Sequence, residues 1–320
     1  MSHELAEKIY QSHGKLLITG EYVVLDGAVS LAIPTIYGQS LNVAPISDSK
    51  LIWKSIDHNA NLWFEAEYSI DEITLGSTIA LNNISRTLLQ ILKAARELNP
   101  RFLLQPNGYK VTTILDFPNN WGLGTSSTLI NNIANWANVN PYELLALSFG
   151  GSGYDIACAK HHTPITYQLH ERETPKQVQS GVENRTVTSV NFNPVFNNQL
   201  YFVHLNKKQN SRDGISHYNA HKSNLSNRII EVSDITSKII SCSKLEDFDR
   251  LIETHEQIIG SITNQVPVKQ RLFKDFNGSV KSLGAWGGDF VLVSAVESPK
   301  SYFKAKGYET IIGFNDMVLK

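Results

Sequence analysis

The chain has 320 residues, 42% of them hydrophobic and 18% charged, and its 29 basic residues almost balance 30 acidic ones for a formal net charge of -1. This composition supplies the core of one large domain or two ordinary ones and excludes an intrinsically disordered chain. It also lacks the basic surplus with which nucleic-acid binders neutralise phosphate, since Lys207-Lys208 is a lone pair and Arg172, Lys176 and Arg185 are diluted by Glu171, Glu173 and Glu183.

The two cysteines, Cys158 and Cys242, stand alone without metal-ligand spacing, as thiols do in a reducing compartment. Glu4, Glu7 and Lys8 near the N-terminus do not fit a signal peptide, and no apolar run reaches the ~18 residues of a bilayer span. The expectation is a cytoplasmic protein, monomer or homodimer, whose partner is a small molecule rather than nucleic acid or membrane.

In chain order, Lys15 to Pro34 holds two β-prone runs flanking Asp26-Gly27, which predicts a hairpin. Short β-like pieces follow over 39–74, among them Leu51-Ile52-Trp53 and Leu62-Trp63-Phe64. Ile84, Leu88, Ile91, Leu92, Ala95 and Leu98 recur at helical spacing, so a helix is predicted over 78–98, stopped by Pro100. A strand is predicted at 109–115, a helix over about 127–138, and another opening at Asn140-Pro141 with Asn as cap and Pro in the first turn. Beyond residue 165, polar alternating pieces over 173–198 suggest hairpins or a crossing segment. A strand follows at 200–205, then helices near 221–242 and 244–261, a Gly-rich turn at 284–288 and a strand at 290–295. Strands, helices and strands again predict an α+β second domain.

Three stretches carry chemistry. In Pro118-Asn119-Asn120-Trp121-Gly122-Leu123-Gly124-Thr125-Ser126-Ser127-Thr128, glycines let backbone N–H groups approach an anion, and a helix N-terminus follows. The spacing is that of neither a P-loop nor a dinucleotide fold, and the plainer reading is a turn with a Ser cap. In Gly150-Gly151-Ser152-Gly153-Tyr154-Asp155, a carboxylate beside a substrate hydroxyl could orient it and take its proton, or Asp155 could simply cap the next element. Lys281-Ser282-Leu283-Gly284-Ala285-Trp286-Gly287-Gly288-Asp289 is a Gly-rich turn running into a strand, uninformative by itself.

Taken in order, these stretches resemble the motifs of the GHMP kinase superfamily, which includes galactokinases, homoserine kinases, mevalonate kinases and phosphomevalonate kinases. Motif one resembles Gly14-Lys15 through Glu21-Tyr22, motif two Pro118 to Thr128, and motif three Gly284 to Asp289. The Ser-Gly-x-Asp element is Ser152-Gly153-Tyr154-Asp155. The resemblance implies a two-domain α+β fold: residues 1–170 like domain 2 of a ribosomal small-subunit protein, and residues 171–320 ferredoxin-like. It implies ATP and Mg²⁺ as cofactors and a small-molecule alcohol or phosphate as acceptor. Gly122, Leu123, Gly124, Thr125, Ser126 and Ser127 would wrap the ATP phosphates, Asp155 would meet the acceptor, and Lys15 would lie close to it. Glu21, Tyr22, Gly153, Gly284, Ala285, Gly287 and Gly288 would line the substrate or form the floor beneath it. Ser126 would reach the metal, and Glu143 is either a second metal ligand or the third residue of a capping box opened by Asn140.

Trp286 departs from the small residue that the family keeps in motif three. Glu21-Tyr22 and Gly151 to Ala157 look like phosphomevalonate kinases, so phosphomevalonate and mevalonate lead as acceptors. Lys207, Lys208 and Arg212 are candidates for a second phosphate, with a solvated loop as the plain alternative. A diphosphomevalonate decarboxylase and a catalytically silent nucleotide-binding relative are the competing readings.

Overall fold

The computed structural model describes residues 6–75, 82–104, 107–170 and 184–320. The chain divides into two compact units interleaved along the sequence. The first gathers Met1–Gly14, Tyr37–Asn119 and Gly124–Lys160, and the second Lys15–Ile36, Asn120–Leu123 and His161–Lys320.

Strands β1 (Lys8–Leu17) and β2 (Ser30–Ile46) pair with each other, and each contributes to both units. In the first unit the later half of β2 pairs antiparallel with β5 (Gly108–Leu115), from Gln39 opposite Leu115 to Ile46 opposite Gly108. β5 pairs in parallel with β3 (Lys50–Ile56), which pairs antiparallel with β4 (Leu62–Ser69). β3 and β4 alternate buried with less buried residues, so one face turns inward. The helices are α1 (Ile70–Leu75), α2 (Asn83–Leu98), α3 (Thr125–Ala137), α4 (Pro141–Ser148) and α5 (Tyr154–Lys160). Trp53, Phe64, Leu88, Ile91, Leu92, Val111, Ile130, Ile133 and Leu144 share one core, each worth roughly 1.5–3 kcal/mol if fully buried.

α3 buries polar side chains as well. Asn131 Nδ2 donates to Ser12 Oγ at 2.9 Å, Ser12 Oγ to Asn132 Oδ1 at 2.7 Å, and Asn132 Nδ2 to the Gln39 carbonyl at 2.9 Å. Leaving one such group unpaired would cost about 1–3 kcal/mol, so this ladder fixes how the helix lies on β1 and β2.

In the second unit the first residues of β2, Ser30 to Ala32, pair antiparallel with β6 (Ile165–Leu169), which pairs with β7 (Arg185–Ser189). A separate antiparallel sheet has the order β11-β8-β10-β9, with β8 Leu200–His204, β9 Val280–Ser282, β10 Phe290–Ser294 and β11 Ile311–Gly313. Its helices are α6 (Ser211–His221), α7 (Leu225–Ile240), α8 (Leu245–Thr263), α9 (Val268–Leu272), α10 (Lys300–Ala305) and α11 (Phe314–Met317). Val203, Phe273, Phe276, Val291, Val293 and Phe303 form a core on that sheet. No helix among the described residues is long and apolar enough to cross a membrane.

One local expectation is corrected, and one helix is added. Asp26-Gly27 does not close a tight hairpin: Tyr22 has φ 66, and Val23–Asp26 form a 3-10 turn that Gly27 ends at φ 93. Val23 and Val24 are buried there, so their apolar character serves the core and not a strand. The helix over Ser211–His221 was not foreseen, because Gly214 and its polar residues hide the periodicity. Predicted segments at 78–81 and 173–183 fall outside the described residues.

Candidate active site

The first half of the glycine loop is fastened to the second unit residue by residue. The Asn120 carbonyl lies 3.2 Å from His204 Nε2, and the Trp121 ring meets Phe290 edge-on at 5.4 Å. Gly122 has φ +69, and a Cβ there would fall 2.4 Å from the Asp289 carboxyl carbon. Only glycine satisfies both conditions. The Gly122 and Leu123 carbonyls receive Lys15: its Nζ donates to Gly122 at 2.9 Å, and its backbone N–H to Leu123 at 2.9 Å. Motif one and the start of motif two are thus one structure.

The second half of the loop opens α3 in the first unit. Gly124 stands at φ 96, ψ 41, and its carbonyl accepts the Thr128 N–H at 3.0 Å and the Ser127 hydroxyl at 2.9 Å. The N–H groups of Thr125, Ser126 and Ser127 precede the first intrahelical bond and carry the positive end of the helix dipole. Ser127 is buried and bonded inward, whereas Ser126 is exposed and its hydroxyl has no hydrogen bond among the described residues. Thr125 Oγ1 reaches Asn119 at 3.4 Å.

Also in the first unit, the Gly153 carbonyl accepts the Ala157 N–H at 3.1 Å and so starts α5. Asp155 lies in its first turn, half-buried, with Oδ1 accepting the Ile156 N–H at 3.0 Å. Asn140 caps α4 by accepting the Tyr142 N–H at 2.9 Å. Glu143 is exposed and makes no return bond among the described residues, so the capping box is only half built. Among the described residues no three His, Cys, Asp or Glu side chains gather as a metal cluster.

Motif three, Gly284 to Asp289, is the turn between β9 and β10. Gly288 packs on segment 207–209, where a Cβ would fall 2.5 Å from the Lys207 carbonyl. Asp289 is 9% exposed, and its Oδ1 accepts the Gln209 N–H at 3.1 Å. Burial pushes its pKa up, against the Gln209 N–H and the charges of Lys15, His204 and Lys208. Arg212, by contrast, is exposed in the first turn of α6.

Beneath motifs one and three lies a buried charge cluster. Lys281 Nζ is 2.6 Å from Glu21 Oε1 and 3.3 Å from Glu256 Oε1, and the four side chains of Glu21, Lys281, Glu256 and His255 are at most 3% exposed. His255 Nε2 accepts the Gly20 N–H at 2.9 Å. Burial raises the Glu21 pKa to about 7, with Lys281 pulling it down and Glu256 pushing it up. Burial, with the Lys281 charge, sends His255 well below its ordinary value. Glu256 also borders a cavity of about 470 Å³ lined by Glu253, Lys269 and Lys274 among others.

Tyr22 Oη accepts the Trp286 N–H at 3.0 Å and lies over Gly214, with Ala285 close by. Trp286 itself is 5% exposed, its ring near Gly260 of α8. The large residue in motif three is therefore absorbed into the core of the second unit. The sequence singled out Lys15, Glu21 and the glycines but assigned no role to Asp289, Lys281, His255 or Glu256. Nothing local marks His255 and Glu256, which sit within an ordinary amphipathic helix.

No protein-family model matches the sequence, and no curated protein matches it either. Solved structures do. Mevalonate kinase from Methanococcus jannaschii superposes with TM-score 0.69 at 15% identity, covering 99% of both chains. Streptococcus pneumoniae phosphomevalonate kinase, solved in complex with phosphomevalonate and AMPPNP, gives 0.70 at 14%, covering 96% of this chain and 99% of that one. Lactococcus lactis galactokinase complexed with galactose gives 0.65 at 11%, covering 99% and 94%. The chain has the two-domain α+β fold of the GHMP kinases.

Proposed function

We propose that this chain is an ATP-dependent phosphotransferase of the GHMP type, whose acceptor is phosphomevalonate or mevalonate in isoprenoid precursor synthesis in the cytoplasm. The observation that supports it most is the bond from Lys15 Nζ to the Gly122 carbonyl. It ties the cation of motif one to the glycine turn of motif two on a fold shared with three small-molecule kinases. The division into domains 1–170 and 171–320 belongs to the same proposal.

The glycine loop fits a polyphosphate: Gly122 and Gly124 hold left-handed backbone, and the first N–H groups of α3 that follow have no intrahelical acceptor. Gly122, Leu123, Gly124, Thr125, Ser126 and Ser127 would hold the ATP phosphates, and bound ATP supplies the phosphoryl group. The exposed Ser126 hydroxyl fits one position of a Mg²⁺ that otherwise keeps phosphate oxygens and water, and Glu143 would be its second protein ligand. Lys15 brings a positive charge to the transferring group. Asp155 orients the acceptor hydroxyl and takes its proton, a role worth about 10²- to 10⁴-fold in rate. Glu21 and Tyr22 act from beneath, as supports of the motif-one turn.

The test is ADP release with Mg-ATP against mevalonate, phosphomevalonate, diphosphomevalonate, homoserine and galactose. Turnover is expected on one of the first two, with Asp155→Asn at least about 100-fold slower at nearly unchanged ATP affinity. Equal turnover by wild type and Asp155→Asn would sink the assigned base.

A further inference from the structure

We propose that Asp289 is a positioning residue of the transfer site, a fixed negative charge that seats the Gly122 turn and keeps the ammonium of Lys15 charged against it. The inference deepens the phosphotransferase reading and rests on it for its kinetic test.

Both backbone polar groups of Asp289 and its Oδ1 are engaged. Its carboxylate accepts the Gln209 N–H at 3.1 Å, its N–H donates to the Lys207 carbonyl at 2.7 Å, and its carbonyl accepts the Leu205 N–H at 2.8 Å. The residue is thereby locked on segment 205–209, and its carboxylate fills the space beside Gly122 where a Cβ would go. The carbonyl of the same Gly122 takes Lys15 Nζ. Asp289 therefore reaches Lys15 through one shared residue, and the charges that act on it are Lys15, His204 and Lys208.

A turn-holding role alone does not require a charge here. Asn tolerates left-handed backbone as well as Asp, which stands at φ 53, and could accept the same N–H without the cost of burying an ion. A carboxylate beside a phosphate-binding turn also repels polyphosphate. It is consistent with function only if the anion acts on the cations around it, holding Lys15 protonated and oriented.

Asp289→Asn separates charge from shape. Expected are unchanged or tighter ATP binding, kcat about tenfold lower, and an alkaline limb of kcat moved ~0.5–1 pH unit to lower pH. Asp289→Ala, which also loses the Gln209 bond, should in addition weaken ATP binding. Independently of turnover, reductive methylation of Lys15 at pH 8, followed by mass spectrometry, should quicken in Asp289→Asn, because removing the anion frees the neutral amine. If Asp289→Asn does not fold, Asp289→Gly, which keeps the left-handed backbone at this position and removes the anion, should show the same quickened methylation. Wild-type methylation and an unmoved limb would overturn the proposal, as would Asn and Ala variants that merely weaken ATP binding to the same extent. Should the wild type turn over no acceptor, the phosphotransferase reading fails while the methylation rate still decides the role of Asp289.

Discussion

Two lysines of the second unit are each tied to a motif, and they differ in what surrounds them. Lys281 is wholly buried between Glu21 and Glu256. Lys15 is part-buried and bonded to the backbone carbonyl of Gly122, a residue that the carboxylate of Asp289 also adjoins. Taking an ion out of water costs several kcal/mol, which only well-placed partners offset. Lys281 is therefore committed to its partners and cannot answer to a ligand. Lys15 keeps enough contact with solvent for an incoming anion to compete for it. Burial, more than residue type, separates a strut from a working group.

The sharpest break in that comparison is to remove each ammonium in turn. Lys281→Met leaves two buried carboxylates facing each other and should cost about 3–5 kcal/mol of stability by urea denaturation. The loss should be smaller in acid, where the carboxylates take up protons. Lys15→Met should cost clearly less stability than Lys281→Met, because Lys15 is only part-buried, while abolishing turnover. Equal destabilisation by the two would mean that the contrast in burial does not govern their roles.

Next in size is the pH response of the buried cluster. Glu21 has a folded-state pKa of about 7 against 4.5 for the free group. A raised carboxylate contributes stability in full below the unfolded value and loses it as pH climbs through the folded one. His255 works the other way: its lowered pKa withdraws stability as pH falls below 6.5. Glu21→Gln isolates the first contribution. The stability of wild type minus that of Glu21→Gln should fall by about 3 kcal/mol between pH 4.5 and pH 8. A difference flat across that range would show that Glu21 ionises in the folded protein as it does in water.

Much of this architecture is legible in the sequence where local chemistry sets it. The cap at Asn140 and the turn at 284–288 form where predicted, and the helix with Leu88, Ile91 and Leu92 at helical spacing ends where predicted, at Leu98, though it opens at Asn83 and not at 78. Lys15 and Gly122 were marked by type and order, and the structure joins them. What stayed hidden is set by long-range pairing. Lys281 finds Glu21 260 positions away, and His255 finds Gly20 235 positions away, and nothing local to Lys281 or His255 announces either pairing. Asp26-Gly27 misled for the same reason: the buried Val23 and Val24 answer to tertiary packing, which overrides a hairpin preference.

The smallest effect separates neighbouring serines at the start of α3. Ser127 is buried and donates to the Gly124 carbonyl at 2.9 Å, whereas Ser126 is exposed and without a hydrogen bond among the described residues. By the same contrast in burial the Ser127 hydroxyl serves the helix start, leaving that residue only its backbone N–H for a phosphate, and under the proposed function the Ser126 hydroxyl would face the metal-bound nucleotide. Ser127→Ala should lower stability by about 1 kcal/mol, the usual worth of one buried hydrogen bond. Ser126→Ala should leave stability within about 0.5 kcal/mol and raise the Mg-ATP concentration needed for half-maximal rate. Thermal melts and initial rates on both variants read the two quantities side by side. An effect of Ser126→Ala confined to the acceptor's KM would remove this serine from the nucleotide and leave the helix N-terminus to hold the phosphates through its backbone alone.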